Sequence, residues 1–339
     1  MGHSKVVTPL IATDIENKFV TDADKDNWNL KFREGYNYII NGRFDIWQRA
    51  LSQTSAGYGS DDRWINFNVG STKVHTLQAF GVGEVFSNGN ICPKYFSRTT
   101  VTSVVGVGNY CIKQQRIESV RTLAGKKAVL SFYAKANAVK NMSIEILQHF
   151  GSGGTPSSVR LLSSQKIQLT TVWQKFDIYL ELPSIAGKVL GTNNDDGVHI
   201  NFWFEAGSNW NSRTNSLGQQ SGIFDLAAIS LIEGDVAINP IPRTIKEELK
   251  LCLRYYEVVG MSGVIGYGYN NVSLVGNFIN YTTIKRSIPV ITQGTALENS
   301  NISTIYLDQI TTQGFRYWVV ATAAGHVYLT RPIYIDAEL

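Results

Sequence analysis

Hydrophobic and polar side chains alternate along many short segments of this chain, and this period of two residues restricts its fold more than any other feature. In VHINFWFEA, the residues on one side of an extended strand are Val198, Ile200, Phe202 and Phe204. The same pattern predicts one buried side in QKFDIYLEL, NMSIEIL and LSFYA. Further strand candidates are RWINFNV, VGNYCIKQQRI, SQKIQL and FDLAAISLI.

Stretches rich in turn residues, such as GSGGTPSS and GTNNDDG, separate these segments, and no helix-length pattern lies between them. Since parallel strands need crossover helices, the arrangement predicts an antiparallel sandwich over residues 36–235, most simply a jelly roll. The chain of 339 residues is too long for one small core, so we expect a second domain and an appendage. The predicted fold class is mainly β.

The sandwich is predicted to begin in NYIINGRFDIWQR, residues 37–49. Asn41 and Gly42 supply the positive φ of a tight corner. Phe44 and Ile46 are expected to continue the buried face as a strand.

A second domain is predicted over residues 236–339, beginning with a connecting helix. Thr244 and Glu247 form a capping box at the helix start. The apolar stripe of this helix consists of Ile245, Leu249, Cys252 and Tyr256. Strand patterns follow in VSLVGNFINYTTIKRS, PVIT, NISTIYLDQI, FRYWVVATAA and HVYLTRPIYIDAEL, which indicate a smaller C-terminal β-sandwich.

Residues 1–35 are polar and hold too few hydrophobic side chains to form a core. Thr21 with Asp24 predicts a short helix within them. We interpret this segment as an extended N-terminal arm that gains stability by packing on other chains. A tail without fixed structure is the alternative.

The charge distribution argues against nucleic acid as a partner. The net charge is +4, but the Lys and Arg residues are scattered singly along the chain. Three widely spaced cysteines predict neither a disulfide framework nor a zinc site, and we expect them to be small buried side chains. No apolar run reaches the ~20 residues of a membrane span, so we expect no membrane insertion and folding in a cytoplasm.

No motif for catalysis or cofactor binding is present, so we predict a protein that is not an enzyme and has no cofactor. Adjacent acids such as Asp61 and Asp62 are explained by solvation in a turn. Asp45 and Asp225 would be a calcium pair if the ends of the sandwich lie together, but surface ion pairing explains them equally, and we predict no metal.

A sugar-binding face is suggested by the outward side of the strand at residues 198–205. It places four side chains side by side: His199, Asn201, Trp203 and Glu205. A planar ring among hydrogen-bonding groups suits a sugar. The alternative is that a neighbouring loop covers Trp203.

Two segments are candidates for polar-aromatic binding loops. One is NWNSRTN around Trp210, and the other is GYGYNN with Tyr267, Tyr269 and Asn270. In an oligomer the same residues would serve equally well as interface packing.

Several segments, in the same order, resemble bacteriophage tail-fibre and receptor-binding proteins: FVTDADKDNWN, NYIINGRFDIWQR, PRTIKEELKLCLRYYE, YTTIKRSIPVIT and YIDAEL. The region from INGRFD to FDLAAISLIEGD is also similar in pattern to jelly-roll carbohydrate-binding modules. Two departures stand out. Ala50 follows WQR where family members often have glycine, and the calcium-binding acids of the modules are only partly matched.

The resemblance implies a homotrimer in the tail fibre of a virion, synthesised in the cytoplasm of a bacterial host. Its N-terminal arm would attach to phage tail or baseplate proteins, with Phe19, Val20 and Trp28 buried between three copies. Its C-terminal domains would meet host surface polysaccharide or lipopolysaccharide without cleaving it, and three copies would make weak sites sufficient. The alternatives are a tailspike-type polysaccharide depolymerase and a purely structural fibre or baseplate connector.

Overall fold

The computed structural model describes residues 35–270 and 273–339, and the chain in these ranges is mainly β, as predicted. The predicted arm, with its short helix and the proposed contacts of Phe19, Val20 and Trp28, lies outside the described residues except for Gly35. Among the described residues, no helix has the length and apolar character needed to cross a membrane.

Two antiparallel sheets form the larger part of the fold. One contains, in spatial order, β1 (Ser52–Gln53), β3 (Thr72–Ala79), β4 (Tyr95–Thr102), β11 (Gly222–Glu233), β6 (Lys127–Ala136) and β9 (Gln174–Glu181). The other contains β2 (Trp64–Val69), β5 (Tyr110–Glu118), β10 (Gly197–Ala206), β7 (Lys140–His149) and β8 (Arg160–Leu169). Every strand candidate named for residues 36–235, except the one at Phe44 and Ile46, overlaps one of these strands.

The core between these sheets consists of the inward residues that the two-residue period predicts. The four inward residues of β10, at positions 198, 200, 202 and 204, are fully buried there. Strands β3 and β4 were not predicted, because their inward side chains are largely polar. His75 and Thr99, for example, are both buried and hydrogen-bond to each other at 2.7 Å.

The chain enters the sandwich through a corner built on Asn41. This residue has a φ of 57°, and its side-chain amide bonds both the N–H and the C=O of Ile46, at 3.0 and 2.8 Å. Phe44 and Ile46 are buried as predicted, but they lie in irregular backbone and form no strand. The reason is that the Asn41 side chain takes the backbone groups that a neighbouring strand would need.

The described residues contain one 3₁₀ turn (Ser208–Trp210) and two helices, α1 (Asn211–Thr214) and α2 (Ile245–Leu253). The predicted capping box begins α2, with Thr244 N–H donating to Glu247 Oε2 at 2.8 Å. Cys252 is buried as predicted, but Ile245 is 56% exposed. The predicted stripe was also too long, because the helix ends at Leu253 and Tyr256 begins a strand.

A second pair of sheets forms from residues after α2. One contains β12 (Tyr256–Gly268), β18 (Gly325–Asp336) and β14 (Val290–Gln293), and β15 (Glu298–Ser300) also pairs with β18. The other has the order β13 (Leu274–Asn280), β17 (Gly314–Ala321) and β16 (Ile302–Asp308). A separate apolar core lies between the two sheets, with Val264 and Leu329 from one sheet and Phe315 and Val319 from the other.

Arginines from the larger sandwich hold residues 336–339 of the smaller one. Arg63 pairs with Glu338, and Arg49 lies 3.4 Å from Glu338 and 3.0 Å from Asp336. Arg116 Nη1 donates to the backbone oxygen of Leu339 at 2.7 Å. These contacts join the two pairs of sheets.

Candidate functional site

The outward face of β10, which the sequence suggested as a sugar platform, is closed in the structure. Trp203 is 1% exposed, and His199 and Asn201 are also buried. The predicted row exists, but it is not open to a ligand. The alternative interpretation, coverage by a neighbouring segment, describes what the structure contains.

The covering segment is residues 208–217, which folds back over β10. The half-buried ring of Trp210 lies 5.5 Å from that of Trp203, and its Nε1 donates to the backbone oxygen of Gly108 at 3.0 Å. Arg213 donates twice to Glu145, at 2.5 and 2.8 Å, and Trp203 Nε1 donates to the same carboxylate at 3.0 Å. This network uses the polar groups that a sugar would have met.

Acidic residues of the larger sandwich likewise have structural partners. Asp61 and Asp62 are each 1% exposed, which corrects the expectation that they are solvated. Asp61 pairs with the buried Lys113, and burial raises the pKa of Asp62 to about 6. Asp45 lies 3.6 Å from Arg43, and Asp225 accepts two bonds from Arg98 at 2.8 and 2.9 Å. The two acids of the hypothetical calcium pair thus each have an arginine partner.

An exposed aromatic surface lies on the outer side of the sheet that contains β12 and β18. We call it the tyrosine face, and it consists of Tyr267, Tyr269, His326 and Tyr328. Tyr267 and Tyr269 are 49% and 81% exposed, and Tyr328 is 39% exposed. The ring of Tyr267 lies 5.5 Å from that of Tyr269 and 5.3 Å from that of His326, which lies 6.0 Å from that of Tyr328. The four rings therefore form one continuous row.

Alternating glycines create this face. Gly266 and Gly268 point inward, where a Cβ would lie 2.4 Å from a side-chain carbon of Val275 and 2.4 Å from the Cβ of Ala321, respectively. The second sheet therefore packs directly against the β12 backbone, and the tyrosines take the outward positions. Tyr267 was predicted on a loop but lies within β12.

The end of the tyrosine face is fixed by a turn. The backbone N–H groups of Tyr269 and Asn270 both donate to Ser273 Oγ, at 2.9 and 3.1 Å. Ser273 Oγ donates in turn to Asn270 Oδ1 at 3.1 Å. Tyr269 is thus held in the connection between β12 and β13, beside the exposed Asn270.

His326 and Tyr328 belong to this site but were not predicted as site residues. The strand pattern of HVYLT places both on one side of a strand. Only the register of β18 with β12, which pairs His326 with Tyr267 and Tyr328 with Ile265, shows that they extend the row.

A cavity of about 540 Å³ lies on the outer side of the six-stranded sheet. In its wall the rings of Tyr133 and Phe86 stack at 3.6 Å, and Asn88 and Asn90 donate to the Tyr133 hydroxyl at 2.8 and 2.7 Å. Those amides are already used within the protein. In the described part of the chain, by contrast, no hydrogen bond engages the hydroxyls of the three tyrosines on the tyrosine face. We therefore take the tyrosine face as the candidate site.

No protein-family model and no curated protein matches the chain. Among solved structures, the chain is similar to a CBM4 structure with 18% identity and a TM-score of 0.32, over 57% of this chain and 98% of that one. For the family 11 carbohydrate-binding module from Clostridium thermocellum the identity is 12% and the TM-score is 0.34, over 55% of this chain and 98% of that one. For the enzymatically active domain of tailspike protein 4 from bacteriophage CBA120 the identity is 12%, the coverage 58% and 21%, and the TM-score 0.34.

Proposed function

We propose that this protein binds glycans on a bacterial surface through the tyrosine face, without cleaving them, as part of a phage or phage-like tail fibre. The observation that carries the proposal is the continuous row of four exposed rings on one sheet. The family resemblance of the sequence supports the biological setting, which includes a homotrimer, attachment through the N-terminal arm and a place in the virion.

The chemistry of the tyrosine face suits a sugar chain. A tyrosine ring presents an apolar surface to the C–H groups of a pyranose, and its hydroxyl can donate or accept a hydrogen bond. Ring centroids 5.3 to 6.0 Å apart form a row long enough to contact successive sugars of one polymer. Exposed rings in a contiguous patch are typical of a binding surface.

The test compares cell binding by fluorescent fusions of the wild-type chain and the variants Tyr269→Ala and Tyr328→Ala. Each substitution removes one exposed ring, and we expect each to weaken binding about tenfold, on the order of 1.4 kcal/mol. The matched control is Tyr179→Ala, which removes a 59% exposed tyrosine from the larger sandwich. Binding by the control should equal that of the wild type.

Light scattering of the same variants separates the proposed function from a structural role. If the tyrosine face is a contact between subunits, the oligomers of the alanine variants will have a lower molar mass than the wild type. If the protein is a structural connector that never meets the host, the wild-type fusion will leave cells unstained. Unchanged cell binding in both variants, with an intact oligomer, would refute the proposed site. A glycan array with the wild-type protein would then identify the sugar bound elsewhere.

A further inference from the structure

A second aromatic row crosses the other sheet of the smaller sandwich, on the side away from the shared core. In this row Tyr306 of β16 pairs with Trp318 of β17, and Trp318 pairs with Gly276 of β13. The rings of Tyr306 and Trp318 stack at a centroid distance of 4.2 Å and an interplanar angle of 13°. Tyr306 therefore covers one face of the indole.

On the β13 side of Trp318, Gly276 has no side chain, and the Arg316 guanidinium carbon lies 5.4 Å from the centroid of the Trp318 ring. A Cβ at Gly276 would lie 2.2 Å from the Cβ of Trp318, so the close approach of these backbones excludes any side chain here. Leu274 and Phe278, two residues to either side on the same outer face, are 64% and 52% exposed. The result is a slot beside Trp318, flanked by apolar side chains and open at the sheet edge that β13 forms.

A polar pair lies at one end of this slot. Arg316 donates from Nε and Nη2 to the two carboxylate oxygens of Asp308, at 2.7 Å each, and Trp318 Nε1 donates to Asp308 at 3.1 Å. The Arg316 bonds, with a smaller contribution from Trp318, lower the pKa of Asp308, so the carboxylate stays ionised at neutral pH. The pair carries no net charge, but it offers acceptor lone pairs and the remaining guanidinium nitrogen.

We propose that this slot, which consists of Trp318, Gly276, Leu274, Phe278, Asp308 and Arg316, is a second carbohydrate subsite that takes a neutral pyranose ring. The apolar side of the sugar stacks on the part of the Trp318 ring that Tyr306 leaves uncovered, next to the Arg316 guanidinium. Adjacent hydroxyls on the sugar edge donate to Asp308 and accept from Arg316. The subsite and the tyrosine face lie on the two opposite outer sides of the smaller sandwich. One copy of this sandwich can therefore engage two sugar chains.

Proton–nitrogen NMR of the indole N–H groups tests this proposal directly. The Trp318 signal is assigned by its absence from the spectrum of Trp318→Ala. Methyl β-D-glucopyranoside and methyl β-D-galactopyranoside are titrated separately into the full-length protein. We expect at least one of them to shift the Trp318 signal saturably, with a Kd of millimolar order, as befits a single stacked ring with few hydrogen bonds.

Three variants distinguish this subsite from the tyrosine face. Asp308→Asn keeps the shape of the slot but removes the charge that orders Arg316, and it should weaken the Trp318 response about tenfold. Tyr269→Ala should leave that response unchanged. Ligand-detected NMR should show less saturation transfer to the glycoside in Trp318→Ala than in the wild type.

The proposal is overturned if neither glycoside shifts the Trp318 signal, or if Asp308→Asn responds like the wild type. Those results would leave the tyrosine face untouched, because its test uses different residues and whole cells. Conversely, normal cell binding by Tyr269→Ala and Tyr328→Ala together with a saturable Trp318 response would move the glycan site to this slot.

Discussion

Glu338→Gln is a substitution from which the structure predicts a large loss of stability. Glu338 and Arg63 are 5% and 1% exposed at their side chains, and Arg49 also contacts the carboxylate, at 3.4 Å. Burial alone would lower the pKa of Arg63, but the Glu338 carboxylate, with smaller contributions from nearby groups, holds it above its usual value. Glutamine keeps the size of the side chain and removes the charge. The uncompensated buried Arg63 should then cost about 3 to 5 kcal/mol.

The assay is urea unfolding followed by circular dichroism and by tryptophan fluorescence. The matched control is Glu181→Gln, whose partner Lys127 lies 3.9 Å away in a pair that is 82% and 56% exposed. We expect the control to lose less than about 1 kcal/mol. Because Glu338 joins the two pairs of sheets, its loss should also separate unfolding into two transitions. A midpoint shift no larger than that of the control would refute the reasoning.

Three further predictions concern buried groups. Burial holds the pKa of His75 well below its usual value, so below about pH 6.5 only the unfolded chain gains a proton there. This protonation lowers the free energy of unfolding by about 1.4 kcal/mol for each pH unit that the pH falls. In urea titrations, His75→Gln should remove this contribution to the pH dependence. Equal pH slopes in both proteins would contradict this. Arg213→Ala removes the cation that pairs with the fully buried Glu145, and it should lower the free energy of unfolding by about 3 kcal/mol in the same assay. A loss under about 1 kcal/mol would be inconsistent with a stabilising Arg213–Glu145 pair. Gly266→Val should lower the stability by about 1 to 3 kcal/mol in thermal unfolding, because its side chain would meet Val275. The control Gly260→Ala has open space around its Cβ and should be neutral. Similar losses in both variants would argue against close packing at β12.

The sequence predicted the strands of both pairs of sheets well wherever one side of a strand is apolar. The inward residues of β6, β7, β9 and β10 follow directly from the two-residue period, because a strand turns alternate side chains to opposite sides. The capping box at Thr244 was predicted equally well, since a cap depends on residues three apart in the chain. The period missed β3 and β4, whose buried sides carry groups such as His75 and Thr99. It also missed β12, where Gly266 and Gly268 take inward positions in place of apolar side chains.

The candidate site was only half predictable. Tyr267 and Tyr269 were identified as exposed aromatics, but their partners His326 and Tyr328 come from a strand about 60 residues further along the chain, and register alone brings them together. Trp203 was assigned to the correct side of its strand and yet is buried. The period of a strand states which way a side chain points but carries no information on what lies above it.

By itself, then, the sequence determined most of the strands and the apolar side of each of these, because both depend on neighbours within a few residues. The tertiary structure decided which outer sides remain open. Residues 208–217 cover the Trp203 end of β10, whereas the rings of Tyr267, Tyr269 and Tyr328 on the smaller sandwich remain exposed. The physical reason is that exposure depends on contacts between segments distant in the chain, where backbone approach, register and buried charge pairs decide the arrangement.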